Sequence, residues 1–168
     1  MMNRRFLLSS VPALLVTAAC SRNAVHAEEV SVAPVSDDGT DWASLTQAEW
    51  RERLTPEQFG VLRREDTERP FTSPLNDEKR AGVYHCAGCD LPLFSSEAKY
   101  ESGTGWPSFW EHLDGAMGTK PDNKLWIQRT EYHCIRCGGH QGHVFNDGPR
   151  PTGQRWCNNG VALTFKPA

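Results

Sequence analysis

Cys157 stands apart from the paired cysteines of the chain, and its neighbours suit a reactive thiol. If residues 154–159 form a strand, the two-residue period puts Arg155, Cys157 and Asn159 on one face. A guanidinium and an amide would then flank the sulfur. A nearby cation lowers a thiol from about 8.5 toward neutrality, and the thiolate is the nucleophile. The other common use of a free cysteine is as a small buried hydrophobe. His140 and His143 form an H-x-x-H pair that could donate a proton and orient a substrate or water. Spacing alone favours structural histidines. A third group is the loop Gly103-Thr104-Gly105-Trp106-Pro107-Ser108-Phe109-Trp110, stiffened by Gly and Pro. Its aromatics suit either a core or the wall of an apolar pocket for a small methyl group.

The most specific pattern is Cys86-Ala87-Gly88-Cys89 paired with Cys134-Ile135-Arg136-Cys137. Two C-x-x-C turns, each presenting two sulfurs, suit a tetrahedral metal site with bonds of about 2.3 Å. The 44 residues between them would make the ion a clip joining distant parts of one domain. Zinc is the expected metal, and iron has the same ligand chemistry. Disulfides are the alternative, being the usual state of cysteine outside the cytoplasm. Four sulfurs fill the coordination shell, so the metal would be structural.

These groups must be carried by a chain of 168 residues, room for one domain and an export segment. Residues 1–27 have a basic start at Arg4-Arg5, an uncharged run from Phe6 to Ala19 and small residues before Glu28. That run is too short for a bilayer anchor. Arg4-Arg5 followed by Phe6-Leu7-Leu8 resembles a twin-arginine export signal; an ordinary secretory signal is the alternative. Cleavage is expected near 27/28. It falls at 19/20 if Thr17-Ala18-Ala19-Cys20 acts as a lipobox, and a lipid on Cys20 would then be the one membrane contact. Either route makes the protein exported and periplasmic, and takes Cys20 out of use as a thiol. Removing residues 1–27 leaves 15 basic against 21 acidic residues, a net charge of −6 in place of −3. That balance opposes nucleic-acid binding.

Residues 28–41 read as a linker and 42–168 as the domain. Ser44 or Thr46 can cap a first helix bearing Trp50 and Leu54. Thr55-Pro56-Glu57-Gln58 carries the signals of a second start: N-cap Thr, Pro at N1 and a capping-box Gln. Beyond Thr67, strands are expected at 82–85, 125–133, 155–157 and 161–165, separated by turns at Asp147-Gly148-Pro149 and Asn159-Gly160.

Three stretches together resemble the B-type peptide methionine sulfoxide reductases. They are Ser102 to Phe109, Cys137 to Phe145 with Asp147-Gly148-Pro149, and Arg155-Trp156-Cys157-Asn158-Asn159-Gly160. The resemblance runs from about Trp42 to Phe165. It implies a mainly β fold of two small antiparallel sheets facing each other, with short N-terminal helices and the four-cysteine zinc site. It also implies thiol-dependent reduction of methionine (R)-sulfoxide in oxidised proteins or peptides, with a thioredoxin-like reductant and a monomeric enzyme. By position, Cys157 would be the nucleophile, and His143 and His140 would handle the sulfoxide oxygen. Asn159 and Arg155 would support the site, and Trp106 with Phe109 would hold the substrate. Three positions depart from the pattern. Thr104 stands where many members have a second, resolving cysteine, Trp156 where Tyr or Phe is usual, and Asn158 where an aliphatic residue is usual. Two other readings compete on the C-x-x-C pairs alone: a zinc-ribbon binding module, and a disulfide oxidoreductase that would need an accessible, metal-free pair.

Overall fold

The computed structural model describes residues 39–124 and 127–168. The export segment, both cleavage positions, Cys20 and most of the 28–41 linker lie outside the described residues. Two short helices come first, α1 (Gln47–Arg53) and α2 (Pro56–Arg64). Each starts on a complete capping box, Thr46 with Glu49 and Thr55 with Gln58. In each, a hydroxyl and a carboxylate or amide satisfy N–H groups that the first turn leaves open. Both helices are too short to persist alone, so their buried residues Trp50, Phe59, Val61 and Leu62 must hold them to the body.

Among the described residues nine strands follow: β1 (Gly82–Cys86), β2 (Pro92–Ser95), β3 (Lys99–Tyr100), β4 (Ser108–Phe109), β5 (Met117–Asp122), β6 (Arg129–Cys134), β7 (His140–Phe145), β8 (Arg155–Asn158) and β9 (Leu163–Pro167). They make two antiparallel sheets, β2-β1-β9 and β3-β4-β8-β7-β6-β5. Aromatic rings fill the space between them. Phe94 stacks on Phe109 with centroids 4.1 Å apart, Tyr84 meets Phe109 at 5.0 Å and Tyr132 meets Trp156 at 4.9 Å. The expected architecture is therefore present, with the second sheet larger than expected.

Residues paired directly across a ladder share a face. On the larger sheet Tyr132, Trp156 and Phe109 face the core. Glu131, His143, Cys157 and Ser108, each paired to the next across β6, β7, β8 and β4, share the opposite face. The alternation breaks once in β7. Tyr132 pairs with Gly142 and His133 with His140, so Gln141 is an extra residue, a β-bulge. Gly142 is dictated by proximity, because a Cβ there would lie 1.9 Å from the carbonyl oxygen of Cys157.

Two expected strands are displaced. The one at 125–133 begins at Arg129, with Leu125 and Trp126 outside the described residues. The Asp122 carboxylate accepts the Lys124 N–H and a bond from Arg129, which ties the end of β5 to the start of β6. The one at 161–165 is a short turn at 160–162 followed by β9. There the Glu68 carboxylate accepts the N–H groups of Gly160 and Val161 and takes them out of any ladder.

Candidate active site and the four-cysteine cluster

Cys157, on β8, lies between Ser108 of β4 and His143 of β7. The bulge at Gln141 restores an even spacing between His140 and His143, so both imidazoles occupy the same face, with ring centroids 5.5 Å apart. Each is held by an acid. Glu131, almost wholly buried, binds His140 Nδ1 at 2.7 Å and His133 Nδ1 at 3.1 Å. Asp122 binds His143 Nε2 at 2.7 Å and takes a bond from Arg129 at 2.7 Å. Among the described residues His140 Nε2 and His143 Nδ1 have no protein partner, so they are the nitrogens available to a substrate.

The electrostatics follow from these contacts. Burial pushes the Glu131 carboxyl up, but the bonds from His140 and His133 more than offset it and leave it below its ordinary value. The Lys124 N–H, with His143 and Arg129, holds Asp122 well below the usual carboxylate range. Burial lowers His143 despite Asp122, so its imidazole is mostly neutral at pH 7. The expectation that Arg155 brings the Cys157 thiol toward neutrality is not met in the resting protein. Burial raises the thiol more than Arg155 and Thr104 lower it. Arg155 is also committed elsewhere: its guanidinium bonds Asp147 twice, at 2.8 and 3.0 Å, and lies 4.2 Å from the Phe145 ring centroid.

Beside the thiol, Thr104 belongs to a chain of hydroxyls. Its Oγ1 is 2.8 Å from Ser102 Oγ, which is 2.7 Å from Ser108 Oγ, and Ser108 donates to the Trp106 carbonyl at 3.1 Å. Trp106 is partly exposed, and its indole N–H is anchored on the Glu68 carbonyl at 2.9 Å. Phe109 has no exposed surface and is sandwiched against Phe94 and Tyr84. It is core, on the face of β4 opposite Ser108, and does not line a pocket. Asn159 also departs from expectation, because β8 ends at Asn158 and the alternation ends with it. Asn159 is buried, accepts the Glu68 N–H and donates from its backbone and side-chain nitrogens to the Gln141 carbonyl. It pins the bulge.

The four paired cysteines are all buried and lie together, with sulfurs within 4.8 Å of one another. Cys86 and Cys137 are 3.7 Å apart and Cys89 and Cys134 3.4 Å apart. A tetrahedron with 2.3 Å bonds needs edges of about 3.8 Å, so the donor set fits a metal ion. Cys134 and Cys137, with burial, push the Cys86 and Cys89 thiols up. Trp50 and Leu62 of the helices cover the cluster, both close to Gly88. Its burial excludes the accessible redox pair that a disulfide oxidoreductase would need.

Gln141 joins the two sites. Its amide donates to Cys86 Sγ at 3.4 Å and accepts from Asn158 at 3.3 Å. Asn158 also accepts from Tyr132 at 2.7 Å and donates to the Asn159 carbonyl at 2.8 Å. This explains the Asn where an aliphatic residue is usual: each polar atom of a fully buried amide is bonded. The sequence reading missed Glu131, Asp122, Gln141 and Tyr132, whose roles depend on cross-strand partners. The one available signal was the even spacing of Glu131 and His133.

The family profile described as SelR domain matches residues 54–167. The chain belongs to the SelR-domain family. It is 55% identical over 123 residues to a peptide methionine sulfoxide reductase MsrB of Pseudomonas putida, covering 73% of this chain and 92% of that one. To the Agrobacterium fabrum protein of the same name it is 48% identical over 134 residues, 79% of this chain and 99% of that one. To the mitochondrial methionine-R-sulfoxide reductase B2 of Rattus norvegicus it is 52% identical, over 74% of this chain and 76% of that one. SelR-domain membership agrees with the motifs that resembled the B-type reductases, and makes the chain a thiol-dependent oxidoreductase.

Replacing Asn158 by Ala orphans the Tyr132 hydroxyl and the Gln141 amide. The expected cost is about 2–4 kcal/mol in urea denaturation. An unchanged midpoint would mean that the network does not hold the site.

Proposed function

We propose that the protein reduces methionine (R)-sulfoxide in polypeptides, using Cys157 as the nucleophile. The observation that carries this reading is the pairing of Cys157 with His143 across the β7–β8 ladder, with His140 on the same face. The Cys157 sulfur attacks the sulfoxide sulfur. Two electrons pass from the cysteine sulfur to the methionine sulfur, and the oxygen ends on Cys157 as a sulfenic acid. The thiol proton passes to the bare nitrogen of His143 or His140. That imidazole then hydrogen-bonds the sulfoxide oxygen and protonates it as its bond to the methionine sulfur breaks, so that the sulfenic acid keeps that proton. Thiol and sulfoxide go in; sulfenic acid and methionine come out. Trp106 packs on the substrate methyl group, while Arg155, from its pair with Asp147, supplies the positive field that favours the thiolate once substrate excludes water.

Regeneration falls to an outside thiol. Thr104 occupies the resolving position, and the other described cysteines are buried in the cluster. A thioredoxin-like dithiol attacks the sulfenic sulfur, releases water and then frees Cys157 through its own second thiol. The four cysteines hold structural zinc, which supplies cross-linking and no reacting atom. The segment 1–27 supports export, with repair of oxidised exported proteins as the role and a lipid on Cys20 as the one membrane tether.

The test is turnover with dithiothreitol on both epimers of a sulfoxide peptide. The (R) epimer should be consumed and the (S) epimer left. Cys157→Ser should lose at least ~10⁴-fold in rate, since a serine hydroxyl is not ionised near pH 7 and stores no oxidised sulfur. Substantial activity in that variant would remove Cys157 from the nucleophile role.

Protein purified without added metal should carry one zinc per chain. Cys89→Ser should release it and lower the thermal midpoint steeply, because structural zinc contributes on the order of 10 kcal/mol in small metal domains. A metal-free, fully stable wild type would contradict the zinc assignment.

A further inference from the structure

The segment between α2 and β1 is fastened to both sides of the candidate site. Glu68 accepts the Trp106 indole N–H, and its carboxylate holds the turn that follows β8. Phe71 N–H and the Asn76 side-chain amide both donate to the Gly105 carbonyl, at 2.7 and 3.1 Å. Between these ties the segment holds one residue in an expensive state. Phe71 has a φ of 63°, in the left-handed region, where a bulky aromatic is strained by about 1 kcal/mol or more. The residue is also 73% exposed. The exposed side chain buries little apolar surface, and the backbone's return is the N–H bond to Gly105.

The ring nonetheless sits beside the site. One edge rests on Gly105, where a Cβ would come within 2.9 Å of Cδ2 and Cε2, and Gly105 has a φ of 92° that only glycine takes readily. Gly105 precedes Trp106, so the two Cα atoms are about 3.8 Å apart. An extended peptide advances about 3.4 Å per residue. A polypeptide with its sulfoxide methyl on Trp106 would therefore bring a side chain one or two positions away over the open face of Phe71.

We propose that Phe71 is a docking platform for the polypeptide part of the substrate, receiving an apolar side chain beside the methionine sulfoxide. The inference rests on the reductase reading above and assigns the same site a substrate class, apolar-flanked sulfoxides in extended or unfolded chain. Strain persists where surrounding structure imposes it and a site uses it. Here the Glu68, Asn76 and Gly105 contacts impose it, and the ring edge lies on Gly105, the residue before Trp106.

Three probes separate the outcomes: N-acetyl methionine (R)-sulfoxide, a pentapeptide with leucine on both sides of methionine (R)-sulfoxide, and the same pentapeptide with glycine flanks. The wild type should prefer the leucine peptide over both others in kcat/KM. Phe71→Gly should cut the leucine-over-glycine preference by about tenfold, mainly through KM, as expected for a lost contact worth one apolar side chain. The same variant should keep or raise the thermal midpoint, because glycine takes a φ of 63° without strain. A Phe71→Gly protein with the full leucine preference would overturn the inference. So would one that loses activity on all three probes in proportion to a lowered midpoint, which would make Phe71 structural. A wild type inactive on all three probes would fail the reductase reading itself, and the inference with it.

Discussion

Gln141 is one residue too many for the ladder it sits in, and the site depends on that excess. In a regular strand, residues three apart face opposite sides of the sheet, so His140 and His143 would be separated by the backbone. The bulge shifts the phase by one and leaves both imidazoles on the face that carries Cys157. A bulge breaks ladder hydrogen bonds and persists only if its atoms find other partners. Here the Gln141 carbonyl takes two bonds from Asn159, and its side chain bridges Asn158 and the Cys86 sulfur. The four-cysteine cluster thus does more than clip distant turns together, since it anchors the residue that sets the phase of the site.

The same contacts show why so much of this protein was legible from its residues and where legibility stopped. The capping boxes at Thr46 and Thr55 are local, so their residue types announce the helix starts. The C-x-x-C turns are local in the same sense, and only their convergence across 44 residues needed the fold. Cys157 could be singled out because it was the cysteine left over. The histidines could not be weighed on spacing, since an H-x-x-H in a strand argues against cooperation until the bulge is known. Strand β5 went unseen because it lies at a sheet edge, with Pro121 in it and exposed Thr119 and Lys120 in place of an apolar alternation. Phe109 was read as pocket wall because it shares a loop with Trp106. Two residues further along the loop becomes strand, and Phe109 points to the opposite face from its neighbour Ser108.

Charge is arranged economically around a thiol that burial makes reluctant to ionise. Arg155 is the nearest full positive charge, yet Asp147 shares it, so the resting site does not expose a permanently ionised, easily oxidised sulfur. With Thr104 in place of a second cysteine, no internal disulfide would protect a sulfenic acid once formed. In the proposed reaction, a thiol that stays protonated until substrate arrives suits recycling from outside. The two acid–imidazole pairs divide the sheet's polar face into a set of fixed dipoles. Glu131 is buried under His140 and His133, and Asp122 ties His143 to Arg129. The imidazoles are thereby oriented before any substrate is bound.

That orientation is directly measurable by nitrogen NMR of the histidine side chains in the resting, metal-loaded protein, which reports the protonated nitrogen of each ring. The bonds to Glu131 and Asp122 predict a proton on His140 Nδ1 and on His143 Nε2, leaving His140 Nε2 and His143 Nδ1 to face the substrate. A resting enzyme with His143 protonated on Nδ1 and bare at Nε2 would contradict the account, because Asp122 would then hold Arg129 but not the imidazole, and the ring would not be oriented before substrate binds.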